Sequence, residues 1–253
     1  MRVYVGMDDT DRRDSNRGTG KLARWMEREL PSGCTLWGVV RQQLPVCDGI
    51  PYTSHNSAAC LVVDLLDASL LEPLVLRTVA HVERHFVEGS DPGICVVSAE
   101  SPALPALVAF GHQCARRVVT QREALESARG AHLSGHGGTC DGIIGAAAAA
   151  GLTAHGWSGR FIEKSNLRGY PERVSVKELE DAGMLVASLD RDTRVPHPAD
   201  TVLTNRWLRP RLWGGRPVLP VVPLEEGVWR SLGEKRRKGH GASGEARPMA
   251  VFC

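Results

Sequence analysis

Residues 1–11, MRVYVGMDDTD, decide how the chain is read. Bulky residues alternate over Met1–Val5, which suits a β-strand, and Gly6–Asp11 then place three carboxylates, Asp8, Asp9 and Asp11, where that strand ends. Acids this close repel one another unless a cation or hydrogen-bond donors offset their charge. Mg²⁺ does so with one or two carboxylates, leaving its other positions to water and phosphate oxygens. The alternative is a solvated surface loop whose Asp or Thr caps the next helix. Leu22, Trp25, Met26 and Leu30 then recur at helical spacing, closed by Pro31 and Gly33. Strand, acidic loop and helix therefore follow one another.

Outward from this start, Cys34–Val40 and Ala58–Leu66 are expected strands, with a long polar loop over 41–57 between them. Leu70–Phe86 is an expected amphipathic helix and Gly93–Ser98 a short buried strand after the DPG turn. Ala106–Ala131 is expected as one helix, and the glycine-dense segment from His132 leads into a helix of small residues. A strand (159–164), a helix (174–184), a strand (184–190) and two short strands between Thr201 and Pro223 follow. The pattern is α+β, or mixed α/β, in two interlocked parts. The expected divisions are 1–120, 121–223 and a basic, Gly-rich flexible tail over 224–253.

Composition narrows the classes. At 253 residues the chain is long enough to bury a core, and 42% hydrophobic with 24% charged residues excludes a disordered protein. A net charge of +2 is too small for a whole-molecule polyanion argument, so any nucleic-acid contact is local. Seven widely spaced cysteines without a CxxC pair argue against a disulfide framework or zinc ribbon. No run suits a membrane span or signal peptide, and a cytoplasmic location with no membrane partner is expected.

Four further stretches bear on chemistry. In Arg17-Gly18-Thr19-Gly20-Lys21, Gly18 and Gly20 permit close backbone approach, Thr19 offers a hydroxyl and Lys21 a point charge. This is not a Walker A motif, because Ser15 and Leu22 stand where that motif needs Gly and Ser or Thr. It can still hold an anion at a helix start, or be an ordinary glycine turn. Gly137, Gly138 and Thr139, in a run from Gly135 to Gly142, can cradle phosphate oxygens with backbone amides, or serve close helix packing. His136 and Asp141 are possible acid–base groups there, and Cys140 a thiol at a helix start, although a small buried Cys is the commoner case. Ile50–Ser57 brings hydroxyls, an imidazole and the Asn56 amide to the start of a buried strand. Arg206–Trp213 interleaves Arg and Trp, and Lys235–Lys238 adds four cations; this suits RNA phosphate contact with base stacking, or a solvated hairpin with cation–π pairs.

VGMDDTD, GTGKLA, IPYTSHNSAA, GGTCDGIIGAAAAAGL, RFIEK and LDRDTR, in this order, resemble the archaeal tRNA-isoleucine agmatinylcytidine synthetase family over most of residues 1–220. The resemblance implies a kinase-like module joined to a ferredoxin-like one, placed at 1–120 and 121–223 respectively. It implies Mg²⁺ and nucleotide phosphates at Asp8, Asp9 and Asp11, a phosphate-handling role for Thr19, and Asn56 near the nucleotide. The family's OB-like tRNA-binding domain and zinc ribbon find no counterpart in these residues, so ATP chemistry is expected over tRNA specificity.

The expected function is an ATP- and Mg²⁺-dependent phosphotransferase or ligase acting on an oxygen of RNA or of a small-molecule acceptor. Asp8, Asp9 and Asp11 would hold metal, Thr19 would contact or accept the transferred group, and Gly18, Gly20, Lys21, Asn56, Gly137, Gly138 and Thr139 would bind nucleotide. The alternative is a non-catalytic RNA-binding or accessory module using the Arg/Trp segment and the basic tail.

Overall fold

The computed structural model of the chain describes residues 1–46, 56–192 and 194–233. In chain order the elements are β1 (Arg2–Asp8), α1 (Thr19–Trp25), β2 (Cys34–Gln43), β3 (Ser57–Leu65), α2 (Leu71–His85), β4 (Gly93–Ser98), α3 (Leu104–Cys114), α4 (Gln121–Ser127), β5 (His132–Gly135) and α5 (Gly142–His155). There follow β6 (Arg160–Glu163), β7 (Arg173–Ser175), α6 (Val176–Asp181), β8 (Leu185–Ser188), β9 (Thr201–Leu203), β10 (Arg211–Trp213), β11 (Arg216–Glu225) and β12 (Val228–Ser231). The architecture is α+β, and none of the described helices is long and apolar enough to cross a membrane.

Two compact units form: Met1–Ser165 with Pro210–Pro217, and Asn166–Arg209 with the chain from Val218. In the first, antiparallel strands lie in the order β5-β4-β1-β3-β2-β6-β10. Residues 2–98 alone make a β-α-β-β-α-β unit with strand order β4-β1-β3-β2, the split βαβ or ferredoxin-like order. That order sits at the start of the chain, and position 120 falls between α3 and α4 inside the first unit. The alternating pattern of β1 sends Val3, Val5 and Met7 toward α1 and α2, where they pack with Leu22, Met26, Leu74 and Val82. The opposite face, with Cys60, Cys95 and Val97, is covered by α3 and α5.

α5 (GIIGAAAAAGLTAH) is buried almost all round, which its small residues allow. A Cβ on Gly6 would collide with the Ala146 carbonyl, one on Gly93 with Gly142, and one on Gly151 with the Leu107 carbonyl of α3. Helix and sheet therefore touch backbone to backbone.

In the second unit β8 pairs parallel with β11, β11 antiparallel with β12, β12 parallel with β9, and β9 antiparallel with β7.

Several expectations are corrected. β1 runs to Asp8 and not just to Val5, because Met7 and Asp8 keep pairing with Ile94 and Gly93. The single helix expected over 106–131 is two, since Thr120 and Glu123 form a capping box that starts α4 afresh. The edge strand β5 has no expected counterpart, because none of its residues is fully buried and no alternation marks it. Another capping box, Ser175 with Glu178, starts α6 at Val176 and leaves 173–175 to a strand. Four strands, not two, follow Thr201, and β12 with buried Trp229 lies within the expected tail. The remainder of that tail, 234–253, is outside the described residues.

Gly6→Ala tests the backbone contact: forcing a methyl into the β1–α5 seam destabilises the protein by about 1–3 kcal/mol or more, read from the urea midpoint at unchanged m-value.

Candidate functional site

Asp8 ends β1 opposite Gly93, the first residue of β4, and Gly93 is opposite Gly135, the last of β5. The acidic loop and the glycine cluster 135–142 thus meet at one end of the sheet. The Asp8 carboxylate lies against the first turn of α5, where a Cβ on Gly145 would overlap its Oδ2. Burial pushes the Asp8 carboxyl up to about 7, with the charges of Asp9 and Asp11 adding to the rise. Asp9 adopts φ +50°, a left-handed conformation, and rises to about 6 through burial and the charges of Asp91, Asp11 and Asp141. Asp11 is raised by burial, while its bonds to Thr19 work in the opposite direction.

Asp11 caps α1 from eight residues upstream: its Oδ1 accepts from the Thr19 amide (3.1 Å) and hydroxyl (3.3 Å). The Thr19 hydroxyl also accepts from the amide (3.3 Å) and hydroxyl (3.1 Å) of buried Thr10. Its one proton and both lone pairs are engaged, so in this structure it fixes the loop to the helix. Gly18 is the α1 N-cap, and Gly20 sits where a Cβ would be 3.0 Å from Ile162. Lys21 Nζ lies 5.3 Å from the centre of the Trp25 ring.

Asp91 is the residue sequence reasoning missed, because DPG reads only as a turn. It accepts from the Thr139 amide (2.8 Å) and hydroxyl (2.7 Å) and so ties the glycine cluster to the strand next to Asp8. A Cβ on Gly137 would collide with Ser90 and Asp91, and one on Gly138 would lie 3.1 Å from Asp91 Oδ1. These glycines serve close approach to 90–92. Gln121 donates to Asp141 and to the Thr139 carbonyl, both at 2.7 Å. His136 bonds Ser134 (2.8 Å) and Glu83 (3.2 Å), and Cys140, at φ +61°, bonds the Gly137 carbonyl. Asn56 donates to Pro45 (2.6 Å) while its carbonyl accepts from Leu44 and Gln43, so it closes the β2–β3 loop at its base. Residues 50–55 and Lys235–Lys238 lie outside the described residues.

The sequence also hid a row of arginines. Met7, Ala59, Arg41, Arg160 and Arg211 stand opposite one another across β1, β3, β2, β6 and β10, on the α1 face of the sheet. Among the described residues none of the three arginines has a carboxylate within ion-pair distance. Burial and then the neighbouring guanidinium lower the pKa of both Arg41 and Arg160. Like charges abreast on a sheet cost stability, and phosphate oxygens would offset that. In the Arg/Trp segment, by contrast, Trp207 is already stacked by Arg209 (3.9 Å) and Arg168 (4.9 Å), which leaves its faces occupied.

For Mg²⁺ the donor set suits a hard cation: carboxylates whose pKa values burial, and then the neighbouring acids, raise to about 7 and about 6. Asp8, Asp9 and Asp11 do not form a three-residue group with ligand atoms all within 4.8 Å of one another. The fit is therefore to one or two carboxylates per ion.

No protein-family model and no curated protein matches the sequence. Solved structures do, among them those of proteins that act on or bind tRNA. The first is a tRNA fluorescent labeling enzyme, 28% identical with a TM-score of 0.50 over 60% of this chain and 36% of its own. More particularly, the chain is similar to TiaS in its complex with an isoleucine tRNA and ATP, 27% identical with a TM-score of 0.50 over the same shares. Apo TiaS, a tRNA agmatidine synthetase, shares the fold at 24% identity and a TM-score of 0.51, over 71% of this chain and 43% of its own. The resemblance read in the sequence thus holds at the level of structure, and the chain spans well under half the length of these relatives.

A raised carboxyl pKa means the folded state binds protons more tightly than the unfolded one. Without added cation, the contribution of Asp8 and Asp9 to stability is therefore fully present below about pH 4 and is lost as pH rises through about 6 and 7. Urea unfolding across that range checks this, and Asp8→Asn flattens the slope.

Proposed function

We propose that the chain is an ATP- and Mg²⁺-dependent enzyme of RNA modification, a ligase or kinase-like phosphotransferase that activates an oxygen of its acceptor. The observation that carries this reading is the meeting of Asp8, Asp9 and the Asp91-anchored glycine cluster at one sheet end. Support also comes from the likeness to a TiaS structure holding an isoleucine tRNA and ATP. Mg²⁺, when bound, neutralises phosphate charge and orients the phosphoryl group.

Asp8 and Asp9 would supply its carboxylate oxygens. Asp11 and Thr19 would act as positioning residues that fix α1 against the loop, and phosphoryl transfer to Thr19 would first require its bonds to Asp11 and Thr10 to open. Gly18, Gly20, Lys21, Asn56 and Gly137–Thr139 would border the nucleotide. The row Arg41–Arg160–Arg211 would take phosphates of the RNA, supplying register more than sequence discrimination.

Asp9→Asn is the direct test. Asn tolerates φ +50° as Asp does, and the change relieves repulsion from Asp91, so the fold is retained. ATP turnover and the Mg²⁺-ATP-dependent rise in Tm are lost; an active variant of equal stability would refute the metal role.

The arginine row favours one second reading, a non-catalytic RNA-binding module. Arg160→Gln lowers RNA affinity roughly uniformly across sequences and reduces the slope of log K against log salt by about 0.7–0.9. If wild type shows that salt slope without any Mg²⁺-ATP shift in Tm, the second reading replaces the first.

A further inference from the structure

Away from the acidic loop, α2 carries His81 and His85 one turn apart, and Glu29 approaches them from the 3₁₀ turn Met26–Glu29 that follows α1. The ligand atoms of the three residues all lie within 4.8 Å of one another.

His81 is fully buried, and its Nε2 is 3.0 Å from the Leu22 carbonyl of α1. A carbonyl only accepts, so Nε2 holds the proton, and in the neutral ring Nδ1 is a bare lone pair. That lone pair faces Glu29 Oε1 at 3.1 Å, another acceptor. The two are near enough for an ion pair, yet His81 Nδ1 makes no hydrogen bond and neither does Glu29 Oε2. His85 Nε2 lies 3.4 Å from the same Glu29 oxygen.

These separations bear on the choice between a proton and a metal. A charge-assisted N–H···O bond closes to about 2.7–2.9 Å. Two ligands each about 2.0–2.1 Å from a tetrahedral ion stand about 3.3–3.4 Å apart. The 3.4 Å separation matches the second figure, and the 3.1 Å separation lies between the two.

We propose that Glu29, His81 and His85 form a metal site for a divalent ion of the zinc type, with two imidazole nitrogens and one carboxylate as ligands. Imidazole with carboxylate is a zinc donor set, and the Leu22 carbonyl supplies the outer hydrogen bond that fixes the ring of a ligating histidine. Partial exposure of Glu29 and His85 leaves a fourth position to water. Arg84 Nη1, 3.5 Å from Glu29 Oε2, steadies the second carboxylate oxygen. The ion would join the turn after α1 to α2.

The test uses the full chain, stripped with chelator and titrated with Zn²⁺ and with Co²⁺ as a spectroscopic probe. One tight equivalent, a rise in Tm and visible Co²⁺ ligand-field bands are expected in wild type, and all three are lost in His85→Ala and Glu29→Gln with far-UV spectra unchanged. Asp9→Asn keeps them, which separates this site from the acidic loop. No tight binding by wild type overturns the proposal and leaves a buried imidazolium–carboxylate pair. Binding retained in either folded variant overturns it equally. Should a variant not fold, imidazole ¹⁵N shifts in wild type decide: movement of His81 Nδ1 and His85 Nε2 on adding Zn²⁺ upholds the site, and its absence overturns it.

Discussion

The contact between α5 and the strands β1 and β4 sets the terms for everything at the acidic end of the sheet. Gly6 and Gly93 on the strands, with Gly142 on the helix, let backbones meet directly, and Gly145 leaves room for the Asp8 side chain. Asp8 leaves β1 at this seam, and its carboxylate has nowhere to go but against the first turn of the helix. The positive end of a helix favours a carboxylate by up to about 2 kcal/mol in a partly buried setting. Burial and the neighbouring acids outweigh this here, since the Asp8 pKa rises. The geometry that makes the fold dense thus leaves an anionic site short of positive charge.

Legibility from the sequence follows the range of each interaction. β4, α2 and α5 are readable because their signals are local: a short apolar run after a turn, a helical stripe, a block of small residues. Capping boxes at Thr120 and Ser175 are local too, and they break helices whose apolar spacing looks continuous. β5 lacks any signal, because what makes it a strand is its pairing with β4. The acidic loop and glycine cluster are each visible in sequence, but their meeting is not. It depends on Asp8, Gly93 and Gly135 coming abreast, and on Asp91, whose role is to bond a residue 48 positions away. The arginine row is the extreme case: Arg41, Arg160 and Arg211 are far apart in sequence and adjacent only through strand register.

Thr19 shows what residue type alone leaves out. A hydroxyl between two glycines ahead of a lysine suggests phosphate contact. The structure commits that hydroxyl to Asp11 and Thr10, making it the joint between loop and helix. Gly20 is likewise explained by Ile162. The sequence pattern therefore marks the right neighbourhood, while the groups with unmet electrostatic demand are the carboxylates beside it and the guanidinium row across the sheet.

α1 connects these observations. At seven residues it is too short to be stable alone, and at 1.5 Å per residue it spans only about 10 Å. Its position must come from what grips it. Asp11 holds its first amide, Leu22 and Ala23 enter the core beneath, and the Leu22 carbonyl accepts a hydrogen bond from buried His81. Any shift along α1 moves Thr19 and, through it, Asp11 and Thr10. The polar grip on the carbonyl side and the carboxylate grip on the amide side act on one short, rigid helix. The anchorage of His81 is therefore part of what fixes the acidic loop, although the two lie at different points along the helix.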